Sequence, residues 1–432
     1  MAKASVLVIH NRYLHPGGED AVVSAEVDLL RCNGHRVLQY ARYNREIARF
    51  GAVRKALLGL TASWNHESYS ELRRLIRQEK PAIAHCHNLL PLLSPAVGYA
   101  CAAEGVPVVQ TVHNYRLVCP GGNLFRNGSV CEECRHRGFG KAVLHGCYRG
   151  SRSQTAAVAL MLGAHRALGM WCAKVHSYIA PSEFCRGILI KSGFPADKIV
   201  IKPHFVSDVP RSRDGLGRYA IFIGRLSAEK GILELLQLWR DLSGIPLLVV
   251  GSGPLEQRAR RLVSEARADH ITFAGQLSRG KTLELLRNAR FLVAPSRCYE
   301  TFGMAVLEAA ACGVPAIVPR IGALAELVAH SRTGFLVDTN DPEQLLWAIR
   351  RAWRHPLETE ELGRAARAQC LERYSAKANY RKLIAIYDAV LSTTGRAFDV
   401  EPMADPSHIV LPAPAAVATS ITTPSIPHLT AG

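Results

Sequence analysis

Short apolar runs alternate with helical patterns along most of this chain, and the alternation starts twice. Val6–Ile9, Ile83–His85, Val106–Val112 and Tyr178–Pro181 are too short for helices and read as strands covered on both faces. Helical spacing lies between and around them, as in Ala21–Cys32, Tyr69–Gln78, Ser153–Ala173 and Glu183–Ser192. After a polar stretch rich in Pro, Gly, Asp and Arg the pattern restarts. Its strands are Ala220–Ile223, Leu247–Val250, Ile271–Ala274, Phe291–Ala294, Ala316–Val318 and Gly334–Val337. Such alternation implies an α/β fold of two doubly wound, Rossmann-like domains built on parallel sheets. The boundaries read as a first domain over 1–205, a linker over 206–217 and a second domain over 218–374. A last helix follows over 375–392, then a Pro/Ala/Thr/Ser-rich tail over 393–432 whose composition reads as disordered. Ligands of such sheets bind beyond the carboxyl ends of the strands.

Composition narrows the class. Hydrophobic residues at 48% and charged residues at 21% exclude a chain disordered throughout, a coiled coil and a collagen-like protein. The net charge of +17 is uneven. Residues 1–205 hold 26 Lys and Arg against 13 Asp and Glu, while residues 206–432 hold 27 against 23. The basic first half fits an anionic partner such as a membrane surface, a phosphorylated substrate or a nucleic acid, and equally a solvated Arg-rich surface. The start shows no secretory pattern, and no run approaches the roughly 18 apolar residues of a spanning helix. A cytoplasmic protein is expected, in which the 12 Cys stay reduced.

Four segments carry chemistry. Glu300-Thr301-Phe302-Gly303-Met304-Ala305-Val306-Leu307-Glu308 follows a strand and opens a helix. Its free N–H groups and dipole suit an anion, Gly303 lets it approach, and the two carboxylates can meet different parts of a long ligand. Surface glutamates on an ordinary helix are the plain alternative. Gly224-Arg225…Lys230-Gly231 puts two cations at a strand's carboxyl end, where they can clamp a diphosphate or simply face water. Gly17-Gly18-Glu19-Asp20 opens another helix with exposed N–H groups. His113-Asn114 ends a strand where an imidazole can bind a sugar hydroxyl or polarise a leaving group.

Taken in order, with Pro295-Ser296, Gly313-Val314-Pro315 and Val250-Gly251-Ser252-Gly253-Pro254, these segments resemble the GT-B glycosyltransferases of family 4. That family is a retaining class using nucleotide-sugar donors, and the likeness covers residues 5–390. It implies that Arg225 and Lys230 hold the donor diphosphate, with the backbone of Phe302, Gly303, Met304 and Ala305 on the distal phosphate. It also implies Glu308 on the ribose, Glu300 on the donor sugar and His113 on its hydroxymethyl edge. Gly17 and Gly18 would approach the diphosphate from the first domain, and the base would lie by Gly251, Gly253, Gln276 and Leu277. No catalytic metal is expected, because no Asp-x-Asp motif is present. The resemblance further implies front-face displacement, with the leaving diphosphate helping to deprotonate the acceptor. The last helix would cross back to the first domain, and domain closure would assemble the site. Glu19-Asp20 departs from the small residue common after the glycines, so these acids would point toward the acceptor or cap the helix at Ala21, and Gly322-Ala323 replaces a commoner Gly-Gly.

Cys119, Cys131, Cys134 and Cys147 space as C-x11-C-x2-C-x12-C in an insertion with no evident core of its own. Four thiols around one C-x2-C suit a structural zinc, with buried free thiols or a redox pair as the alternatives. His85-Cys86-His87-Asn88 reads as cleft wall rather than metal site. The expected partners are a nucleotide-sugar donor, a polyprenyl-diphosphate-linked or other glycan acceptor and an anionic membrane face, and not a nucleic acid. Competing readings are a sugar-nucleotide epimerase or soluble glycoside synthase on the same fold, a basic zinc-containing nucleic-acid-binding protein, and an inactive scaffold.

Overall fold

The computed structural model describes residues 4–394 apart from His15, Pro16, Asp214 and Thr339, so the reading of the tail falls almost wholly outside the described residues. The first sheet holds β1 (Val6–Arg12), β2 (Val37–Tyr43), β3 (Ile83–Cys86) and β4 (Val108–Thr111). A two-stranded antiparallel hairpin, β5 (Phe125–Arg126) and β6 (Ser129–Val130), sits in the Cys-rich region. The first sheet then resumes with β7 (Ser177–Ala180) and β8 (Ile199–Ile201). The second sheet holds β9 (Tyr219–Ile223), β10 (Leu247–Val250), β11 (Ile271–Gly275), β12 (Ala289–Val293), β13 (Ala316–Pro319) and β14 (Gly334–Val337).

Both sheets are parallel, in the orders β2-β1-β3-β4-β7-β8 and β11-β10-β9-β12-β13-β14. The order reverses beside β1 in one sheet and beside β9 in the other, and a doubly wound sheet opens a crevice at such a reversal. Strands β3, β4, β7 and β13 are buried at every residue, because helices cover both faces. The helices start where the sequence supplies acceptors for free N–H groups. Asn65, Ser151, Ser182, Ser278 and Ser375 each cap one.

The chain passes between the domains twice, side by side. The Val206 N–H donates to the Tyr374 carbonyl at 3.1 Å. The last helix, Ala376–Ser392, then lies on the first domain. There Leu383, Ile384, Tyr387 and Leu391 share a core with Val6, Val8, Ile83, Val109 and Ile179.

Two local readings need correction. The helical pattern over Ser153–Ala173 is one helix only from Arg152 to Ala167. Gly169, at φ 68, turns the chain, and a wider π-type turn follows over Met170–Lys174. The strand read as Val106–Val112 is only Val108–Thr111, since Pro107 has no N–H for the ladder. The Cys-rich region, read as an insertion without a core of its own, shares that of the first domain. Val118, Cys119 and Leu124 are buried in the main cluster of the first domain.

Candidate active site

The carboxyl ends of the two sheets face a cleft of about 920 Å³, partly open to solvent. Gly18 and Glu19 line it from the helix after β1, and His113 from the end of β4. Lys230, Ser296 and the run Glu300–Val306 line it from the second domain. Of the residues singled out in the sequence, the structure therefore brings together Gly18, His113, Lys230, Glu300, Phe302, Gly303, Met304 and Ala305.

Lys230 and Glu300 are joined directly. The Lys230 ammonium donates to Glu300 Oε1, and Ser296 Oγ donates to the same oxygen at 2.7 Å. Burial pushes the Glu300 carboxyl up. The Lys230 charge and these hydrogen bonds outweigh that and hold it below the ordinary carboxylate range. Lys230 is in turn held above its usual value, because Glu300 outweighs desolvation. Next to this pair, Gly303 takes φ 126 and precedes the helix Met304–Ala311. A Cβ at Gly303 would lie 2.4 Å from Leu324 Cδ2, so only glycine lets this helix start abut the cleft.

The loop before that helix is fastened to the first domain. Thr301 Oγ1 donates to the His113 carbonyl at 2.9 Å, and Tyr115 OH to the Glu300 carbonyl at 3.3 Å. Ser182 Oγ donates to the Thr301 carbonyl at 2.9 Å. The Glu326 carboxylate accepts from the N–H groups of Glu183 and Phe184 at the start of a first-domain helix.

Other selected residues sit off the cleft wall. Arg225 is exposed on the loop after β9. Glu308, one face further along its helix, accepts from Arg279 Nε at 2.9 Å. Gln276 accepts from Ser252 Oγ at 3.0 Å, and the Gly251 N–H donates to the Gly275 carbonyl at 2.8 Å, which ties the loops after β10 and β11 together. Leu277 packs at the edge of the second-domain core. A Cβ on Gly251 would stand 2.0 Å from the Gly224 carbonyl oxygen, and its φ is 134. That glycine lets the loops after β9 and β10 pass in contact. Gly17 caps the helix Gly18–Cys32, and its N–H donates to Asp20 Oδ2 at 3.3 Å. Asp20 Oδ1 lies 2.9 Å from His10 Nε2, so Asp20 serves its own helix end. Glu19 faces the cleft instead.

A buried polar network backs the cleft, and most of it escaped the sequence reading. His87 Nδ1 lies 2.9 Å from His113 Nε2, and His204 stacks on His113 with ring centres 5.2 Å apart. His85 joins Tyr387 OH and Thr111 Oγ1, each at 2.7 Å. Burial pushes His85 down to about 4 and His204 down to about 3, so both rings are neutral at pH 7. Glu26, His85 and His87 bring ligand atoms within 4.8 Å of one another. The Lys202 ammonium pairs with Glu26 and fills the role a cation would take there, and neither histidine lines the cleft itself.

The four cysteines of the insertion also converge. Burial, then Cys119, Cys147 and Cys131, push the Cys134 thiol up to about 12. The donor set suits zinc in kind. No three of these sulfurs lie within 4.8 Å of one another, so a zinc with Zn–S of about 2.3 Å would have to draw the four thiolates together.

Known proteins match both halves of the chain. Residues 21–208 fit the family model for Glycosyltransferase Family 4, and residues 211–369 that for Glycosyl transferases group 1. The chain is a GT-B glycosyltransferase of family 4 type. Among curated relatives of this glycosyltransferase, a D-rhamnosyltransferase (WbpZ) of Pseudomonas aeruginosa is 29% identical over 191 residues, 44% of this chain and 48% of that one. A glycogen synthase of Mycobacterium tuberculosis is 28% identical over 303 residues, 67% of this chain and 64% of that one. The match thus spans about half to two thirds of these relatives. Sucrose-phosphate synthase from Thermosynechococcus elongatus shares the fold at TM-score 0.67 and 18% identity, over 90% of this chain and all (100%) of that one. Anabaena Alr3699/HepE, solved with UDP, shares it at TM-score 0.62 and 14% identity, over 89% of this chain and 100% of that one.

Proposed function

We propose that this glycosyltransferase moves a sugar, with retention of configuration, from a nucleotide diphosphate donor to an acceptor hydroxyl. The observation that carries the reading is the Lys230–Glu300 pair beside the helix start at Gly303, both facing one cleft. An incoming diphosphate would find a cation and a positive helix end already in place, and these favour the charge that grows on a leaving phosphate. Lys230 released to the phosphate would free Glu300 for the donor sugar's hydroxyls. Glu308 would take the ribose hydroxyls once Arg279 shares it, and the exposed Arg225 would swing onto the diphosphate. His113 would meet the sugar's hydroxymethyl edge. The proton of the acceptor hydroxyl would pass to the leaving diphosphate as the new glycosidic bond forms. The solved complexes of Alr3699/HepE with UDP and with UDP-glucose support a nucleotide-sugar donor.

We place the reaction in cell-surface polysaccharide assembly. The rhamnosyltransferase and an O-antigen chain mannosyltransferase of Escherichia coli, 26% identical over 209 residues, support this. The acceptor would be a lipid-linked glycan held by the first domain at a membrane face. Val53, Leu57 and Leu60 are exposed at 74%, 46% and 66%, near exposed Arg45, Arg49 and Arg54. Among the described residues, no helix is long and apolar enough to cross a membrane. The Cys119, Cys131, Cys134 and Cys147 cluster would hold a structural zinc. A panel of UDP-, GDP- and ADP-sugars read by thermal shift, with Glu308→Ala as control, tests the donor. One nucleotide should shift the protein and lose its effect in the variant. No shift with any of them counts against transferase chemistry.

A further inference from the structure

Beside the cleft lies a second pocket in the first domain, about as open to solvent as the cleft itself. Its wall mixes Trp171, Met161 and Leu162 with Gln110, Asn114 and Arg116. An apolar face with amide and guanidinium groups around it is the lining that a saccharide ring meets well, since a ring offers C–H faces and hydroxyl edges. Among the described residues, only Glu19 and His113 line both this pocket and the donor cleft. They form the partition between the two.

Glu19 is 90% buried in that partition, its side chain being 10% exposed. Tyr13 OH donates to Glu19 Oε2 at 3.0 Å. Glu19 Oε1 is buried with no hydrogen-bond partner. His10 Nδ1 is 4.0 Å away, beyond hydrogen-bond distance, and accepts from the Asn88 N–H at 3.4 Å. A buried carboxylate oxygen without a donor is costly, and its position between two cavities suits a donor brought by a ligand.

We infer that Glu19 is the acceptor-binding residue, its Oε1 taking the hydrogen bond of the saccharide hydroxyl that attacks the donor sugar. This rests on the transferase reading above and names the acceptor side of that site. Glu19 holds the hydroxyl oxygen toward the anomeric carbon and does not take its proton, which leaves with the diphosphate. The charge state of Glu19 makes this contact sensitive near neutrality. Burial raises its carboxyl to about 7, while Tyr13, Arg116 and Asn114 lower it and Asp20 raises it. These groups and His10 come from the strand β1, the loop after it, the segment after β4 and the same helix. Below that value Glu19 is protonated and the preferred acceptor is lost.

The test uses the full chain, octyl glycosides (gluco, galacto, manno and rhamno) as acceptor probes, and UDP, GDP and ADP as donor-site probes. In the wild type at least one glycoside should bind, and its affinity should rise several-fold from pH 6 to pH 8. Glu19→Gln, which keeps shape and volume, should weaken that glycoside at least fivefold and flatten its pH dependence. Tyr13→Phe should move the midpoint to higher pH. Glycoside binding that Glu19→Gln leaves unchanged, or no glycoside binding by the wild type, overturns the proposal. The nucleotide probes report the donor site separately, so their failure would count against the transferase reading itself.

Discussion

His87 Nδ1 and His113 Nε2 are 2.9 Å apart, at the ends of adjacent strands β3 and β4. Burial, with neighbouring cations and histidines, holds both rings well below the ordinary value, so both are neutral and only one proton lies between them. The carboxylate of Glu26 stands 4.0 Å from the far nitrogen of His87 and favours a proton there. His87 Nδ1 then accepts, His113 Nε2 donates, and His113 Nδ1 is left as an acceptor for a sugar hydroxyl.

His87→Ala should therefore lower kcat by about tenfold, the worth of one positioning hydrogen bond, with a smaller change in donor KM. His87→Asn, which keeps an acceptor, should recover part of the loss. Steady-state kinetics beside a melting curve checks this. Equal losses in both variants would mean that His87 only fills space.

Lys230→Ala should cut transfer about 100-fold and cost about 1–3 kcal/mol of stability, because it leaves the Glu300 carboxylate short of its counter-charge. Lys230→Met combined with Glu300→Leu should recover stability but not activity. The lowered pKa of Glu300 gives stabilisation that is full above its ordinary 4.5 and fades as pH falls below it. The raised pKa of Lys230 gives stabilisation that is full below its ordinary 10.5 and fades as pH rises above it. Melting temperatures of the wild type and the double variant across pH 4–11, an assay range on the order of these limits, separate the two effects.

The buried histidines predict acid sensitivity. An imidazole whose folded pKa lies below its unfolded one takes up its proton mainly on unfolding. Stability therefore falls as pH drops from the ordinary 6.5 toward about 4 for His85 and about 3 for His204. Each contributes about 1.4 kcal/mol per pH unit within its window. The melting temperature should drop steeply between about pH 6 and 4, and His204→Asn should make that slope shallower. A slope unchanged in the variant would assign the acid sensitivity elsewhere.

Zinc analysis of the purified chain should give about one ion per molecule, and Cys134→Ser should lower both the zinc content and the melting temperature. A chain that keeps full stability after chelation would leave the cluster as free thiols.

What could be read in advance was local in sequence. The pair Glu300 and Glu308 lies on one loop and one helix, so spacing alone placed both near a helix start. The partner of Glu308, Arg279, is 29 residues away, and no spacing rule links them. The histidine pair likewise depends on two strands becoming neighbours, since His87 and His113 are 26 positions apart. Glu19 and Asp20 were legible as acids after two glycines, but only packing decided that Asp20 turns inward to His10 while Glu19 faces the cleft. The short helices Ala52–Ala56 and Leu58–Ser63 gave no signal, because Val53 and Leu60 face outward and the buried Ala62 alone makes no core period.

The position of the last helix governs when the first domain can be finished. Residues Leu383, Tyr387 and Leu391 cover the sheet side that bears Val6, Ile83 and Val109, yet a ribosome makes them more than 170 residues after β8 ends. A nascent chain that has released residues 1–205 carries an uncovered apolar face through the whole synthesis of the second domain. At about 5–20 residues per second that interval lasts on the order of 10–40 s. The opening unit is thus the last to close. Its apolar face stays uncovered until the last helix has been made.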